Sequence, residues 1–194
     1  MRDSWNHNVH YYSWVLKQVP PGCKRALDVG CGRGMLTQRL AERCEEVVGI
    51  DKELELPGGE RNITFIQGDV LTEPLQVGSF DFIVAVASLH HLPLREGLER
   101  FKGFLRPGGV LVIVGLYDEV TPIDYVWAAL AMPLSRLIRM VRGEAEVGAP
   151  LQDPRQGLRE IRRECAAALR GSVVRRRLFF RYSVVWRLEL VAAS

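Results

Sequence analysis

The chain has 194 residues, 47% hydrophobic and 25% charged, a balance that supports one packed core and excludes a disordered, collagenous or coiled-coil chain. The formal charge of +3 conceals a polarity, with 13 basic against 17 acidic residues in 1–135 and 13 Arg against 6 acidic residues in 136–194. Four cysteines, Cys23, Cys31, Cys44 and Cys165, form no CxxC pair, which argues against a zinc ribbon or a disulfide framework and fits a reducing compartment.

Residues 1–7 contain no apolar stretch of the kind a signal peptide needs, and no apolar run approaches the roughly 18 residues of a membrane span. A cytoplasmic protein is expected. Residues 11–19 could line one face of a short helix, which Pro20-Pro21-Gly22 stops; residues 1–22 thus form an N-terminal cap segment. Residues 25–29 are a short apolar strand running into Gly30-Cys31-Gly32-Arg33-Gly34, and Met35, Leu36, Leu40 and Ala41 follow at helical spacing. Further strands are expected over residues 46–50, ending at Asp51, over 63–66, ending at Gly68-Asp69, over 80–86 and over 110–115.

The crossover through residues 52–62 contains Pro57-Gly58-Gly59 and is too short for a full helix. Leu98, Phe101, Phe104 and Leu105 predict a helix before the fifth strand, with Arg106-Pro107-Gly108-Gly109 as the turn between them. Residues 117–154 read as an insertion or lid, apolar over 122–141. A helix over 156–169 and two closing strands over 173–180 and 182–190, with Phe179 and Trp186 packing between them, complete the chain. The expected fold is α/β: a doubly wound, Rossmann-like sheet of seven mostly parallel strands with an antiparallel closing hairpin, helices on both faces, in a single domain over residues 1–194.

In an open parallel sheet the ligand sits beyond the carboxyl ends of the strands, where strand order reverses. That rule alone brings the glycine turn, Asp51, Asp69 and residues 87–91 onto one rim. Glycines let the backbone approach a ligand, and the helix that follows offers free N–H groups to an anion. Asp51 lies 21 residues after Gly30, a spacing suited to accepting ribose hydroxyls; Asp69 could accept from an exocyclic amine.

This ordered set resembles the class I S-adenosylmethionine-dependent methyltransferases, in particular the small ubiquinone/menaquinone-biosynthesis-like (methyltransferase type 11) group, over residues 24–116. The resemblance is carried by Leu27-Asp28-Val29-Gly30-Cys31-Gly32-Arg33-Gly34, Gly49-Ile50-Asp51, Gly68-Asp69-Val70, Phe80-Asp81-Phe82, Ser88-Leu89-His90-His91 and Leu105 to Gly109. It implies S-adenosylmethionine as cofactor, with S-adenosylhomocysteine as product. Asp28 and the turn containing Gly30, Cys31, Gly32 and Gly34 would hold its amino acid end, Asp51 its ribose, and Asp69, with Val70 beside it, its adenine. The backbone at Ala85, Val86 and Ala87 would line the methionine portion. Lys52 and Leu54 are candidates to pack on the adenine, and Tyr11, with His7, His10 and Tyr12, is a candidate cap.

His90 and His91 are the candidate catalytic residues, since a histidine there could take a proton from a hydroxyl acceptor. The acceptor is expected to be a small, partly apolar molecule methylated on oxygen or carbon. Residues 87–90 carry none of the Asn/Asp-Pro-Pro-Tyr/Phe pattern of many amide and nucleobase N-methylating enzymes, so nucleic acid is disfavoured as substrate. RNA methylation, motivated by Arg155, Arg159, Arg162, Arg163, Arg175, Arg176 and Arg177, and a non-catalytic cofactor-binding module are the alternatives. The G-x-G-x-G spacing differs from the G-x-G-x-x-G of nicotinamide dehydrogenases. No metal site is expected, and the oligomeric state is open.

Overall fold

The structure, a computed structural model, describes residues 9–54, 61–118, 156–178 and 180–190. Its elements in chain order are α1 (Val9–Leu16), β1 (Arg25–Val29), α2 (Met35–Ala41), β2 (Glu46–Asp51), β3 (Ile63–Gln67), β4 (Phe80–Val86), a single 3-10 turn (Leu89–His91), α3 (Leu94–Phe104), β5 (Leu105–Leu116), α4 (Leu158–Ala168), β6 (Val173–Arg177) and β7 (Arg181–Arg187). They form one seven-stranded sheet in the order β3-β2-β1-β4-β5-β7-β6. The first five strands in that order run parallel, whereas β7 lies antiparallel to both β5 and β6. The chain winds outward from β1 through β2 to β3 and then returns to lay β4 on the other side of β1. Strand order reverses there, and in doubly wound sheets the carboxyl ends of the strands at such a reversal are where a ligand crevice forms.

The central strands have no solvated face, and so they read as continuous apolar runs. Leu27, Ile83 and Leu111 pack under α3 and α4 with Leu98, Phe101 and Ile161. On the opposite face Ala26, Phe82 and Val112 meet Val15, Leu36 and Leu40 of α1 and α2. At the amino end of the sheet, away from the crevice, Asp81 Oδ2 accepts the Lys24 and Arg25 N–H groups at 3.0 and 2.8 Å, and its other oxygen pairs with Arg106. This carboxylate aligns β4 with the start of β1.

The structure redraws several expected boundaries. Residues 106–109 are not a turn preceding the fifth strand but lie inside β5: Phe80 pairs with Leu105 and Phe82 with Val110, so Arg106 to Gly109 form an irregularity opposite one residue of β4. The helix before β5 begins at Leu94 rather than near Leu98 because Leu94, Leu98, Phe101 and Phe104 all face the core. The closing strands stop at Arg177 and Arg187 and are joined through residues 178–180, where Phe180 has φ 54°. Trp186 packs into the core and donates from Nε1 to the Arg170 carbonyl at 2.8 Å; Phe179 lies outside the described residues.

Tyr117 is buried at the end of β5, and the Asp118 N–H donates to the Gln156 carbonyl at 3.1 Å. The two ends of the expected insertion therefore meet at the carboxyl rim of the sheet, while residues 119–155 are outside the described set, as are residues 55–60 of the β2–β3 crossover and residues 1–8. Among the described residues no helix is long and apolar enough to cross a membrane.

Candidate active site

The crevice is built from the exits of β1, β2 and β4. The Gly30 and Cys31 N–H groups both donate to the Ile50 carbonyl, at 2.8 and 3.2 Å, and the Gly34 N–H donates to the Cys31 carbonyl at 2.8 Å, so the chain turns sharply before α2. Gly30, Gly32 and Gly34 all have positive φ, at 75°, 50° and 71°, a region costly for residues with a Cβ. They differ in surroundings. A Cβ on Gly30 would collide with Ser88 and one on Gly34 with the Phe65 ring, whereas a Cβ on Gly32 would meet open space. Ser88 closes the crevice floor by donating from Oγ to the Val29 carbonyl at 2.6 Å.

Asp28 occupies the middle of this floor and is only 2% exposed. Thr37, in the first turn of α2, donates from Oγ1 to its Oδ2 at 2.7 Å. Burial pushes the carboxyl up to about 7; the Thr37 bond opposes this and the nearby Asp51 charge reinforces it. Asp51, at the end of β2, accepts the Gly32 N–H at Oδ2 (2.8 Å) and the Glu53 N–H at Oδ1 (3.0 Å). A carboxylate has about four lone-pair positions, so Asp51 keeps capacity to accept from hydroxyls.

Asp69 follows β3 and accepts the Leu71 N–H at 3.0 Å, while Lys52 Nζ lies 3.0 Å from its other oxygen. The Leu71 N–H and then Lys52 hold its carboxyl below the usual range. The pair spans the exits of β2 and β3 and is largely exposed, so it is held weakly enough to rearrange around a ligand.

On the other side of the crevice, Ala85 and Val86 are still paired with β5, at Ile113 and Val114. Ala87 leaves the sheet with φ 55° and its N–H on the Val114 carbonyl at 2.7 Å. A non-glycine residue held in that region marks a constrained backbone. The turn that follows presents His90, half-buried, and His91, exposed, with ring centroids 3.9 Å apart. Burial, then His91 and Arg181, push the His90 imidazole down to about 4, leaving the ring neutral at neutral pH.

The structure thus brings Asp28, Gly30, Cys31, Gly32, Gly34, Asp51, Ala87 and His90 to one crevice, with the Lys52–Asp69 pair at its outer side. Cys31 offers only backbone, since its thiol sits beneath the turn facing the Gly49 position; Val70 is a buried core residue. Tyr11 is placed differently from a cap laid over the crevice: it is buried on the α1 side and its hydroxyl donates to the Leu178 carbonyl at 2.8 Å. Its neighbour Tyr12 is the one near enough to Asp28 for that charge to raise its phenol pKa. Thr37 and Phe65 are not marked out by the sequence, and Ser88 is marked only as part of the turn at residues 87–91. The signals were there in part: Asp28 needed a donor once buried, and Gly34 and Gly49 leave room for a ring on the adjacent strand.

Residues 27–113 match the family described as "Methyltransferase domain". An uncharacterized methyltransferase of Mycobacterium tuberculosis is 34% identical over 197 residues, spanning 96% of this chain and 98% of that protein. A sterol 24-C-methyltransferase of Yarrowia lipolytica is 30% identical over 64% of this chain and 34% of its own length. A ubiquinone biosynthesis O-methyltransferase of Ralstonia nicotianae is 30% identical over 50% and 44%. The fold is shared with the N-methyltransferase NodS of Bradyrhizobium japonicum in complex with S-adenosylhomocysteine, with a TM-score of 0.60 at 18% identity over 94% of this chain and 88% of that one. With its reversed strand order, glycine turn and buried Asp28 matched by full-length kinship, the chain belongs to the class I S-adenosylmethionine-dependent methyltransferases.

Proposed function

We propose that the enzyme methylates an oxygen or carbon of a small, partly apolar molecule, and that the crevice between β1 and β4 is where it does so. The observation that carries the cofactor half of this reading is the pairing of a buried carboxylate, Asp28, with the open space above Gly32. A cationic ammonium suits the first, and a ligand backbone or chain suits the second. The residues therefore fit the group: Asp28 and the turn from Gly30 to Gly34 would hold the amino acid end, Asp51 the ribose hydroxyls, and Asp69, with Lys52 displaced or stacked beside it, the adenine amine. S-adenosylmethionine supplies a methyl carbon already activated by a sulfonium.

The protein's own contribution is then chiefly alignment and exclusion of water. Ala87, held at positive φ, sets the direction in which the turn containing His90 leaves the sheet. His90 is neutral, and it would accept a proton from a hydroxyl acceptor during attack; a carbanion-like acceptor would not need it. His91, exposed, is assigned the lesser role of shaping the turn.

Small acceptors are supported by the sterol and ubiquinone names of two relatives. The arginines of α4 fit an ordinary solvated helix face, with Arg159, Arg162 and Arg163 on its exposed side, opposite Leu158, Ile161 and Cys165 in the core. We also assign the chain a single domain, with residues 1–22 and 117–154 as appendages, and a cytoplasmic location, for which all four cysteines being free is the support.

The test is a calorimetric titration of S-adenosylhomocysteine into the wild type and Asp51→Ala, followed by a labelled methyl donor against phenols, catechols and carboxylic acids. Binding to the wild type that weakens at least tenfold in the variant, and label transferred to one of the small molecules, is expected. Label appearing only in RNA would overturn the acceptor assignment.

A further inference from the structure

Arg181 opens β7, and because β7 runs antiparallel to β5 it stands opposite Leu116, the last residue of β5. It therefore lies on the carboxyl rim, on the same edge of the sheet as the exit of β4. Alternation along the strand turns Tyr182 and Val184 into the core under α3 and α4 and Arg181 with Ser183 to the other face. There α1 covers it, tied down by the Tyr11 bond to the Leu178 carbonyl.

The side chain is 6% exposed, yet its Nε and Nη1 are buried without a hydrogen-bond partner. Among the described residues no carboxylate pairs with it; the groups near enough to affect its charge are Tyr11 and Tyr12. Burial lowers its pKa only to about 10, so it remains a cation at neutral pH. It is close enough to His90 to depress that ring's proton affinity, and His90 Nδ1 is itself buried and unpartnered. Two unsatisfied polar side chains thus face the same stretch of rim.

A buried guanidinium with free donors is costly to a fold and is retained where something else completes it. The group has only donors to offer and carries one positive charge. The nearby Arg177 is occupied, donating from Nε to Ser183 Oγ at 2.8 Å and stacking on Trp14. A monoanion therefore matches the site better than a phosphate dianion, and Tyr11 and Tyr12 of α1 are the neighbours beside it.

We propose that Arg181 binds a carboxylate on the methyl acceptor, which makes the acceptor class apolar monocarboxylic acids. This rests on the small-molecule reading above and narrows it. Anchoring by the acid group would fix the acceptor's distance from His90 and the β4 exit, and would neutralise one of the charges that hold His90 deprotonated.

The experiment titrates acetate, benzoate and octanoate, with 1-octanol as the uncharged control, into the full chain saturated with S-adenosylhomocysteine. Wild type, Arg181→Lys and Arg181→Met are compared, and the melting temperature of each is recorded without added acid. At least one carboxylate is expected to bind the wild type and to weaken tenfold or more in Arg181→Met, with Arg181→Lys intermediate and octanol unaffected. Arg181→Met is also expected to melt about 3 °C or more above the wild type, because a charge lacking a partner is removed. Carboxylate binding that is absent, or equal in wild type and Arg181→Met, overturns the proposal, as does a fall in melting temperature, which would reveal an internal ion pair. Loss of S-adenosylhomocysteine binding by the wild type would instead overturn the cofactor site.

Discussion

Asp28 shows how one residue is destabilising for the fold and useful for binding. Its carboxyl titrates near 7 in the folded protein, against about 3.9 in an unfolded chain. Between those values the unfolded state has released the proton and the folded state still holds it, so stability without cofactor falls as pH rises from about 4 to about 7 and is level above that. The full span amounts to as much as about 4 kcal/mol. Asp28→Asn keeps an acceptor for Thr37 and removes the slope; denaturant unfolding across pH 5–8 should find it more stable than the wild type throughout, by about 1.5 kcal/mol at pH 5 and about 4 kcal/mol at pH 8. The cofactor's ammonium favours the ionised carboxylate. Affinity for S-adenosylhomocysteine in the wild type should therefore rise towards pH 7, with proton release seen as a dependence of the binding heat on buffer, and Asp28→Asn should lose both effects along with most of the affinity.

At the scale of the element, the strand, turn and helix from Arg25 to Ala41 contain glycines that do different work. Gly30→Ala places a methyl against Ser88 and the crevice floor at a backbone angle that already costs about 1–2 kcal/mol, and it should lower the melting temperature of the apo protein. Gly32→Ala shares the unfavourable angle but meets no atom; it should lose relatively less stability and relatively more cofactor affinity, because its methyl enters the room left for the ligand. A thermal melt and a titration on both variants separate the two roles. This element was the most legible part of the sequence, since an apolar run, three spaced glycines and a helical period each have one local explanation. So were Asp51, which ends β2, and Asp69, which follows β3 by two residues. What escaped were pairings made across the sheet. Phe65 fills space vacated by Gly34 and Gly49, and Tyr11 exchanges places with Tyr12 through a helical rotation of one residue. Arg181 is one arginine among several in the final third, and only strand register turns it inward while Arg187, on the same face near the other end of the strand, stays exposed. The extent of β5 is hidden for a related reason: Pro107-Gly108-Gly109 carries turn chemistry, but the strand pairing on either side absorbs it as an irregularity.

Across the whole molecule, five strands of the sheet precede residue 119 and the last two, β6 and β7, follow residue 155. The Asp118 to Gln156 hydrogen bond joins the two ends, and the β5–β7 pairing next to it holds the rim from the other side. Replacing residues 119–155 by six Gly/Ser residues is expected to leave the fold intact, since the entropic cost of closing a loop between residues 118 and 156 falls with the number of residues in it, by about 1.6 kcal/mol for this change in length. Cofactor affinity should stay within threefold of wild type while turnover of any acceptor is abolished, measured by titration and by label transfer on the same preparation. That clasp makes the excursion a cassette. A lineage could exchange the whole of it, and with it the chemical identity of what is methylated, while the inherited donor apparatus passes unaltered from one enzyme to the next.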